Sequence, residues 1–340
     1  MNVSVIIPTY NRYIFLKRAL VSLYAQTYPP KEIIVVDDGS TDDTSYITVI
    51  LNSIQNLNPN IIIKYIYQNN SGVSSARNMG IRNASFEWIA FLDSDDEWHK
   101  TKLEKQVDFH KNNINILMSY TDELWIRDGV EVKIPKKFKK IGKDIFSENI
   151  EYCNIAPSSV LVSREILNYH ALVVRVQNDG TVQNDGEFFD ESLEVCEDYD
   201  LWLRIALKHE IGLVDEPLIT KYAGHDDQLS FKHWGMDRFR VVALEKLLKS
   251  EAKATPLKKT ELLGGTTSVV HEQQSEPKAT SLRNTTSSSF SGLTRESTQA
   301  LILKELRKKY TILLKGAIKH DKISDKKNYL KRLRELNEPN

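Results

Sequence analysis

The chain has 340 residues, which leaves room for one large domain with an appendage. Its 46 basic and 46 acidic residues give a formal net charge of zero, which argues against non-specific nucleic-acid binding as the main role. Two cysteines are too few for a disulfide framework, and no apolar run reaches the roughly 20 residues that cross a bilayer. The sequence therefore predicts a protein of a reducing compartment, either cytoplasmic or peripheral on the inner face of a membrane.

The first predicted element is a buried strand at Val3–Ile7, made mostly of β-branched residues. It begins so close to the amino terminus that we expect no secretory signal. Pro8 is expected to end the strand because proline cannot donate to the ladder. A helix to about Gln26 follows, since apolar residues recur there at helical spacing: Leu16, Ala19, Leu20 and Leu23.

A second buried strand, Glu32–Val36, ends in two carboxylates and a glycine turn. The carboxylates belong to Asp37 and Asp38. After them, Ser40 or Thr41 is placed to cap the helix that follows. This segment therefore repeats the order of strand, polar turn and helix that opens the chain.

A third strand at about Ile61–Tyr67 leads through Gly72 into a helix that carries Arg77. The fourth strand, Trp88–Leu92, delivers the run Asp93–Asp96, which holds three carboxylates. Such a cluster at the end of a buried strand suits Mg²⁺ or Mn²⁺, because these cations take oxygen ligands and share them with substrate phosphates. The alternative for this run by itself is a solvated acidic turn that caps the next helix.

Strand and helix alternate about every thirty residues, which predicts βαβ units and a parallel sheet. Because the crossovers are right-handed, the carboxyl ends of the strands lie along one edge. Thr9, Asp38, Gly72 and Asp93–Asp96 should therefore face one crevice, where open α/β sheets bind nucleotides. Neither a dinucleotide-binding nor a Walker A glycine pattern is present in the sequence.

Four segments of the first hundred residues stand out, in the order Val5–Arg12, Val36–Asp42, Ser71–Asn78 and Phe91–Trp98. Together they resemble family 2 glycosyltransferases of the GT-A fold. A fifth segment, Cys196–Arg204, is similar to that family's E-D-x-[DE]-L-W sequence. The resemblance covers residues 1–225. It implies an α/β fold with a Rossmann-like, mostly parallel central sheet flanked by helices, to which this chain adds a C-terminal helical appendage.

The resemblance also implies an inverting, hexosyltransferase-type activity that moves a sugar from a nucleotide diphosphate, with UDP-sugars favoured, to an acceptor hydroxyl. The acceptor would be a glycan or a lipid-linked molecule in cell-surface polysaccharide synthesis. Asp95 would ligate Mn²⁺ or Mg²⁺, which stabilises the negative charge on the leaving diphosphate. The donor-binding residues implied by the resemblance are Pro8, Thr9, Tyr10, Asp38, Arg77, Asp93 and Ser94.

A single displacement also needs a general base that takes the proton of the acceptor hydroxyl. The resemblance assigns this role to Asp198, with Glu197 as the second candidate. The alternative is that both are first-turn helix acids, which the helix dipole favours. His225 lies in a loop after a strand-like run and is a candidate metal or phosphate ligand, although loop histidines usually have no such role.

Two other functional classes fit part of the pattern. A nucleotidyltransferase also binds a nucleotide and a metal at strand ends, but it usually has a glycine-rich, basic loop where this chain has Pro8–Arg12. A non-catalytic nucleotide-sugar-binding or scaffold protein of the same fold would be expected to lack the base or a metal ligand. Asp38, Asp95 and Asp198 are all present, so the site residues favour an enzyme.

The sequence predicts four regions along the chain. The catalytic domain covers residues 1–230, with a nucleotide-binding half at 1–100 and an acceptor-binding half at 101–230. A helix at 231–250 follows. A flexible insertion at 251–298 comes next, because its Ser, Thr, Lys and Glu content buries too little apolar surface to fold. The helical segment 299–340 ends the chain.

Three segments outside the motifs also carry predictions. Lys133–Lys143 is basic with interleaved apolar residues, which fits either contact with anionic lipid or a solvated loop. The sequence VQNDG occurs at 176–180 and again at 182–186, and we expect it to lengthen a turn or hairpin before Phe188. An apolar stripe is expected to pack onto the helix at 239–248, with homodimerisation as the alternative: Leu303, Leu306, Tyr310, Leu313 and Ala317.

Overall fold

The structure is a computed structural model. It describes residues 1–135, 138–142, 145–171, 175–176, 182–183, 187–224, 235–253 and 293–338. His225, most of the VQNDG duplication and nearly all of the 251–298 segment lie outside the described residues.

The described residues form strands and helices in a regular α/β order. The strands are β1 (Val3–Thr9), β2 (Glu32–Asp37), β3 (Ile62–Tyr67), β4 (Trp88–Phe91), β5 (Glu97–Trp98), β6 (Met118–Arg127), β7 (Val130–Val132), β8 (Leu161–Ser163), β9 (Arg175–Val176), β10 (Val182–Gln183) and β11 (Gly212–Ala223). The helices are α1 (Tyr13–Tyr24), α2 (Ile47–Leu57), α3 (Val73–Asn83), α4 (Lys102–Asn112), α5 (Phe146–Asn149), α6 (Arg164–Tyr169), α7 (Glu197–Lys208), α8 (Asp237–Lys253), α9 (Arg295–Lys319) and α10 (Ile323–Asn337).

The main sheet has the strand order β3-β2-β1-β4-β8-β6-β11-β5, and β7 pairs with β6. The first four strands in this order are parallel to one another, as the βαβ pattern predicts. Strand β8 runs antiparallel to both β4 and β6, and β5 runs antiparallel to β11. The carboxyl ends of β1, β2, β3 and β4 therefore meet at one edge, and the predicted mostly parallel sheet with flanking helices is confirmed.

The sheet is buried on both faces, which explains why its first strands are continuously apolar. Successive side chains of a strand point to opposite faces. Val5 and Ile7 accordingly pack in the cluster that contains α1, α2 and α4, whereas Ile6 packs in the cluster that contains α3, α7 and the C-terminal helices. The two clusters are the two layers that cover the sheet.

Two local predictions about the start of the chain are wrong. Strand β1 continues through Pro8, which pairs with Val36, because the ladder on the β4 side has already ended at Ile6. The helical turn after β2 is capped by Asp42, whose carboxylate accepts a hydrogen bond from the Thr44 amide, and not by Ser40 or Thr41. The oxygen of Ser40 instead accepts a hydrogen bond from the Asn11 amide at 2.8 Å.

The apolar stripe of α9 packs within the chain, as predicted. Leu306 and Leu313 are buried in the same cluster as Leu244 of α8, and the Tyr310 hydroxyl donates to Glu245 Oε1 at 2.6 Å. Both helices beside the predicted 251–298 insertion reach into it, since α8 extends to Lys253 and α9 begins at Arg295. The stripe is thereby used for intramolecular packing.

The structure also describes parts of the VQNDG duplication and of Lys133–Lys143. Strands β9 and β10 pair antiparallel, with Val176 opposite Val182, which agrees with the expected hairpin. Within the described part of Lys133–Lys143, Lys140 is buried and forms a salt bridge with Glu123 at 3.2 Å, so this run is not simply a solvated loop. Among the described helices, none is long and apolar enough to span a membrane.

Candidate functional site

The ends of β1 and β2 lie side by side at the carboxyl edge of the sheet. The Asp38 amide donates to the Thr9 carbonyl oxygen at 2.9 Å, which joins the two strand ends. The Thr9 hydroxyl oxygen is buried, and within the described part of the chain it has no hydrogen-bond partner. Tyr10 follows with an exposed ring. The edge therefore presents an unsatisfied hydroxyl next to an open aromatic side chain, with Pro8 buried behind them.

The carboxylate of Asp38 is held by the turn that begins α3. It accepts hydrogen bonds from the Ser71 and Gly72 amides, both at 2.8 Å, and from Gln68 Nε2 at 2.7 Å. Gly72 has φ +92°, a conformation that side chains with a Cβ rarely adopt. Burial raises the pKa of Asp38, while these hydrogen bonds lower it, and the net pKa lies above its ordinary value. The buried carboxylate of Asp38 thus shapes the turn before α3.

Arg77 connects the two halves of the predicted domain. Its guanidinium donates to Asp93 Oδ1 at 2.7 Å and to Glu197 Oε1 at 2.5 Å, and it lies over the Phe189 ring. Burial lowers the pKa of Arg77, but Asp93 and Glu197 raise it above its ordinary value. The neighbouring Asn78 exchanges hydrogen bonds with the backbone of Phe189 at 2.8 and 2.9 Å. Helix α3 therefore fixes the start of α7 relative to the acidic run after β4.

The two acids at the start of α7 have different surroundings. Glu197 is buried against Arg77, and burial raises the pKa of Glu197 above its ordinary value. Asp198 is only half-buried; its carboxylate accepts a hydrogen bond from the Tyr199 amide at 2.7 Å and one from the Cys153 thiol at 3.4 Å. Asp198 is therefore the more accessible of the two acids, whereas Glu197 positions Arg77.

The acidic run after β4 divides into open and buried carboxylates. Asp93 and Asp95 are partly exposed, with 26% and 21% of their side chains accessible, whereas Ser94 and Asp96 are buried. Asp95 forms a salt bridge with Arg12.

The buried Asp96 is fixed by Ser158, whose hydroxyl donates to Asp96 Oδ2 at 2.6 Å. Burial raises the pKa of Asp96 well above its ordinary value; Asp95 and Asp93 raise it further, and Lys221 lowers it. The Ser158 oxygen also accepts from the Asp93 amide at 3.0 Å, so this serine sets the conformation of the whole acidic turn.

The carboxylate oxygens of Asp93 and Asp95 are suitable ligands for a divalent cation that also binds substrate oxygens. Asp93 and Asp95 are the open carboxylates, and each faces a guanidinium, from Arg77 and Arg12 respectively. Within the described ranges, no three His, Cys, Asp or Glu side chains come close enough together to hold a metal by themselves. One or two protein carboxylates completed by phosphate oxygens is the usual arrangement for Mg²⁺ at nucleotide sites. The residues therefore fit such a metal.

Three contributors were not predicted from the sequence, because they lie outside the motifs: Cys153, Ser158 and Lys221. Burial lowers the pKa of Lys221, but surrounding carboxylates raise it above its ordinary value: those of Glu123, Asp96, Asp93 and Asp198. Arg12, which pairs with Asp95, was within a motif but had no predicted role. Its cationic side chain, one residue past a polar strand end, is the signal that could have identified it.

Comparison with known proteins places this geometry in a family. The family described as Glycosyl transferase family 2 matches residues 4–167. The Escherichia coli protein named UDP-Glc:alpha-D-GlcNAc-diphosphoundecaprenol beta-1,3-glucosyltransferase WfaP is 34% identical over 232 residues, which are 67% of this chain and 79% of that protein. Two uncharacterized Rickettsia glycosyltransferases are also 34% identical, and the chain spans about a third of their length.

Two solved structures share the fold. TarS from S. aureus, in complex with UDP-GlcNAc, gives a TM-score of 0.57 at 22% identity, over 75% of this chain and 67% of that one. The mannosyltransferase PcManGT from Pyrobaculum calidifontis, in complex with GDP-Man and Mn²⁺, gives a TM-score of 0.50 at 16% identity, over 98% of this chain and 84% of that one. At these identities the likeness shows the fold, which is GT-A.

Proposed function

Because the chain belongs to glycosyltransferase family 2, we propose that it transfers a sugar from a nucleoside diphosphate to an acceptor hydroxyl. The proposed reaction is of the hexosyltransferase type, a single displacement that inverts the anomeric centre. One observation carries the proposal: Arg77 binds Asp93 and Glu197 together and leaves Asp198 accessible beside them. A donor-facing carboxylate and an open candidate base are thereby held at one edge of the sheet.

The donor binds at the ends of β1 and β2 in this proposal. In this arrangement the Thr9 hydroxyl hydrogen-bonds the base and the Tyr10 ring stacks on it. Two observations support these roles: the Thr9 hydroxyl is buried without a partner within the described residues, and Tyr10 is exposed. Asp38 holds the Ser71–Gly72 turn that borders this position. A UDP-sugar is the favoured donor, which is supported by the name of WfaP and by the UDP-GlcNAc bound to TarS.

Asp198 acts as the general base in the proposed displacement. It takes the proton of the acceptor hydroxyl as that oxygen attacks the anomeric carbon and the bond to the diphosphate breaks. Glu197 does not touch the substrate; it holds Arg77, which in turn holds Asp93 beside the donor. Mn²⁺ or Mg²⁺ at Asp95, with Asp93 nearby, would supply charge stabilisation for the leaving diphosphate.

The acceptor is proposed to be a glycan or a lipid-linked molecule, with the protein cytoplasmic or peripheral on the inner face of a membrane. WfaP is named for a diphosphoundecaprenol-linked acceptor, which supports the lipid-linked class. Such an acceptor suits cell-surface polysaccharide synthesis. No observation favours a nucleotidyltransferase, since the Pro8–Arg12 segment lacks the glycine-rich loop of that class.

The test compares Asp198→Asn with the wild type in two assays. Donor binding is measured as the thermal shift with UDP, GDP, dTDP and CDP, with and without Mn²⁺. Transfer is measured as incorporation of labelled sugar into acceptor lipid extract, using the sugar nucleotide of the binding diphosphate. We expect Asp198→Asn to keep the thermal shift and to lose about 10²- to 10⁴-fold in turnover, the usual contribution of a general base.

Glu194→Gln is the matched control, because Glu194 is an exposed carboxylate just before α7. It should leave both assays unchanged. Wild-type turnover in Asp198→Asn would mean that the base is elsewhere, and a loss confined to Glu197→Gln with donor binding intact would assign it to Glu197. A protein that binds no nucleotide and transfers no sugar would contradict the proposed activity.

A further inference from the structure

The turn between α9 and α10 carries an unusual exposed surface. We call residues 312–327 the helical tip. Three isoleucines of the tip are exposed, namely Ile312, Ile318 and Ile323, with accessibilities of 49%, 54% and 62%. Isolated exposed apolar residues are common on protein surfaces, but several within a short segment mark an interaction site.

The same surface is strongly basic. The tip contains five lysines and two aspartates and no arginine or glutamate: Lys315, Lys319, Lys322, Lys326 and Lys327 against Asp321 and Asp325. Within the described part of the chain, no salt bridge involves Lys315, Lys319, Lys326 or Lys327. Residues 312, 315, 318 and 319 share one face of α9, since they recur at helical spacing. Lysine and isoleucine are therefore interleaved on one surface.

The tip lies at the end of the helical layer where α7 begins. The sulfur of Cys196, just before α7, is 3.9 Å from the Met236 carbonyl oxygen, so α8 starts beside the start of α7. The far ends of the same two helices are joined by the Lys208–Glu251 salt bridge at 3.0 Å. The two helices thus run in the same direction, away from Asp198.

Helix α9 runs back toward the site. Its Tyr310 bonds to Glu245 in the middle of α8, and three residues later Leu313 lies beside Gly235, at the start of α8. Leu313 is the second residue of the tip, and the rest of the tip continues past it beyond the start of α8. It therefore projects at the same end of the molecule as the first turn of α7, which carries Asp198.

We propose that the helical tip docks the protein on an anionic lipid bilayer. Interleaved lysine and large apolar residues fit that partner, because the ammonium groups bind lipid phosphates while the isoleucines enter the boundary of the acyl chains. A second copy of the chain fits less well, since a symmetric contact would bring two lysine-rich surfaces together. The buried stripe of α9 is already used in packing against α8, so it is not the docking surface.

This docking would place the Asp198 end of the molecule at the membrane, where a lipid-linked acceptor would be presented. It does not depend on the proposed reaction, because vesicle binding is measured without donor or acceptor. A protein that fails to bind vesicles could still transfer sugar, and a protein that transfers no sugar could still bind vesicles. The two proposals are therefore tested independently.

The experiment is flotation of the full chain with vesicles of phosphatidylcholine alone, or of equal parts phosphatidylcholine and phosphatidylglycerol. We expect binding only to the anionic vesicles, weakened by added salt. Lys319→Glu/Lys326→Glu should weaken it at least about tenfold, because four units of charge change at the surface. The control Lys249→Glu/Lys304→Glu makes the same charge change on exposed residues distant from the tip and should bind like the wild type.

The apolar part is tested with Ile318→Ser/Ile323→Ser against Leu57→Ser/Ile114→Ser, whose residues are even more exposed and lie beside other turns. Only the first pair should weaken flotation, with the thermal midpoint unchanged in both. The proposal is overturned if the wild type ignores anionic vesicles or if the tip variants float like their controls. It is also overturned if the isoleucine changes convert a dimer to a monomer while vesicle binding persists.

Discussion

At the scale of single residues, Arg77 decides how the site is assembled. A guanidinium has a planar set of donors and can serve two carboxylates at once, here Asp93 and Glu197. Arg77 is buried, so water cannot readily replace it as the partner of these two carboxylates. Breaking the ion pairs would therefore cost free energy. The sequence alone does not distinguish Glu197 from Asp198. In the structure Glu197 holds Arg77 in position, whereas Asp198 remains accessible.

Arg77→Lys is expected to break this bridge, since one ammonium on a flexible stem cannot hold both carboxylates in the same geometry. We expect the free energy of unfolding to fall by at least about 2 kcal/mol, because a buried carboxylate loses its partner. Donor affinity should fall about tenfold, as Asp93 is no longer held. Urea unfolding and nucleotide titration measure the two effects. Arg82→Lys, on an exposed position of the same helix, is the control; an equal response of both variants would contradict the bridge.

At the scale of elements, the close contact between α3 and β1 places the Arg77 helix against the sheet. Gly80 lies on the inner face of α3, and a Cβ at this position would lie only 2.3 Å from Ile6 Cγ2. Glycine is usually the poorer helix former, so its presence in the middle of α3 has a packing reason. The helix approaches the strand closely enough for Arg77 to reach Glu197, the first residue of α7, and for Asn78 to reach Phe189.

Gly80→Ala should therefore destabilise the protein, by about 1–3 kcal/mol, because the added methyl overpacks the contact with Ile6. Gly316→Ala provides the opposite case, since nothing lies within 4 Å of the position where its Cβ would be and the residue is within α9. That variant should gain up to about 1 kcal/mol from helix propensity. Chemical denaturation of the two variants checks the sign. Stabilisation by Gly80→Ala would show that the helix can move away from the strand.

At the scale of the whole molecule, two layers of helices enclose the sheet, and buried polar groups lie between them. His110 of α4 is one of these: its ring nitrogens lie 2.8 Å from the Ile116 carbonyl oxygen and 2.9 Å from Ser119 Oγ. Burial lowers the pKa of His110 to about 4, and that of His170 to about 3. Both histidines are therefore neutral in the folded protein at pH 7; His110 is buried in the interior, and His170 is half-buried.

Acidification should destabilise the protein through these histidines. The folded pKa of His110, about 4, lies below its ordinary value of 6.5, so the unfolded chain takes up the proton first. The stabilisation is complete above pH 6.5 and is lost as the pH falls toward 4, with a magnitude of about 3 kcal/mol.

Urea unfolding at several pH values measures this dependence. His110→Gln should remove the loss of unfolding free energy between pH 6.5 and 4 that His110 causes. His320→Gln, at an exposed position after α9, should leave that loss unchanged. If both variants followed the wild-type pH dependence, His110 would not be the group responsible.

The sequence by itself determined the αβ alternation, the edge where polar residues gather and the motifs that carry the family resemblance. These features are local: the side-chain period of a strand, the spacing of a helix and the residues just past a strand end are all set by neighbours in the chain. The internal packing of the α9 stripe was predictable for the same reason, since its spacing alone defines an apolar face. Local rules failed at Pro8 and at the Asp42 cap, where neighbouring segments decide which backbone groups still need a partner.

Only the tertiary structure decided which acidic side chains of the motifs are accessible and which are buried. These acids are in the run Asp93–Asp96 and the pair Glu197 and Asp198. Arg77 and Glu197 are separated by 120 positions, and the thiol of Cys153 reaches Asp198 across 45. No periodicity relates such residues, because their meeting depends on how whole elements pack and on which side chain the packing buries. The same holds for the helical tip, whose lysines and isoleucines form one surface at the Asp198 end only because α9 runs back along α8.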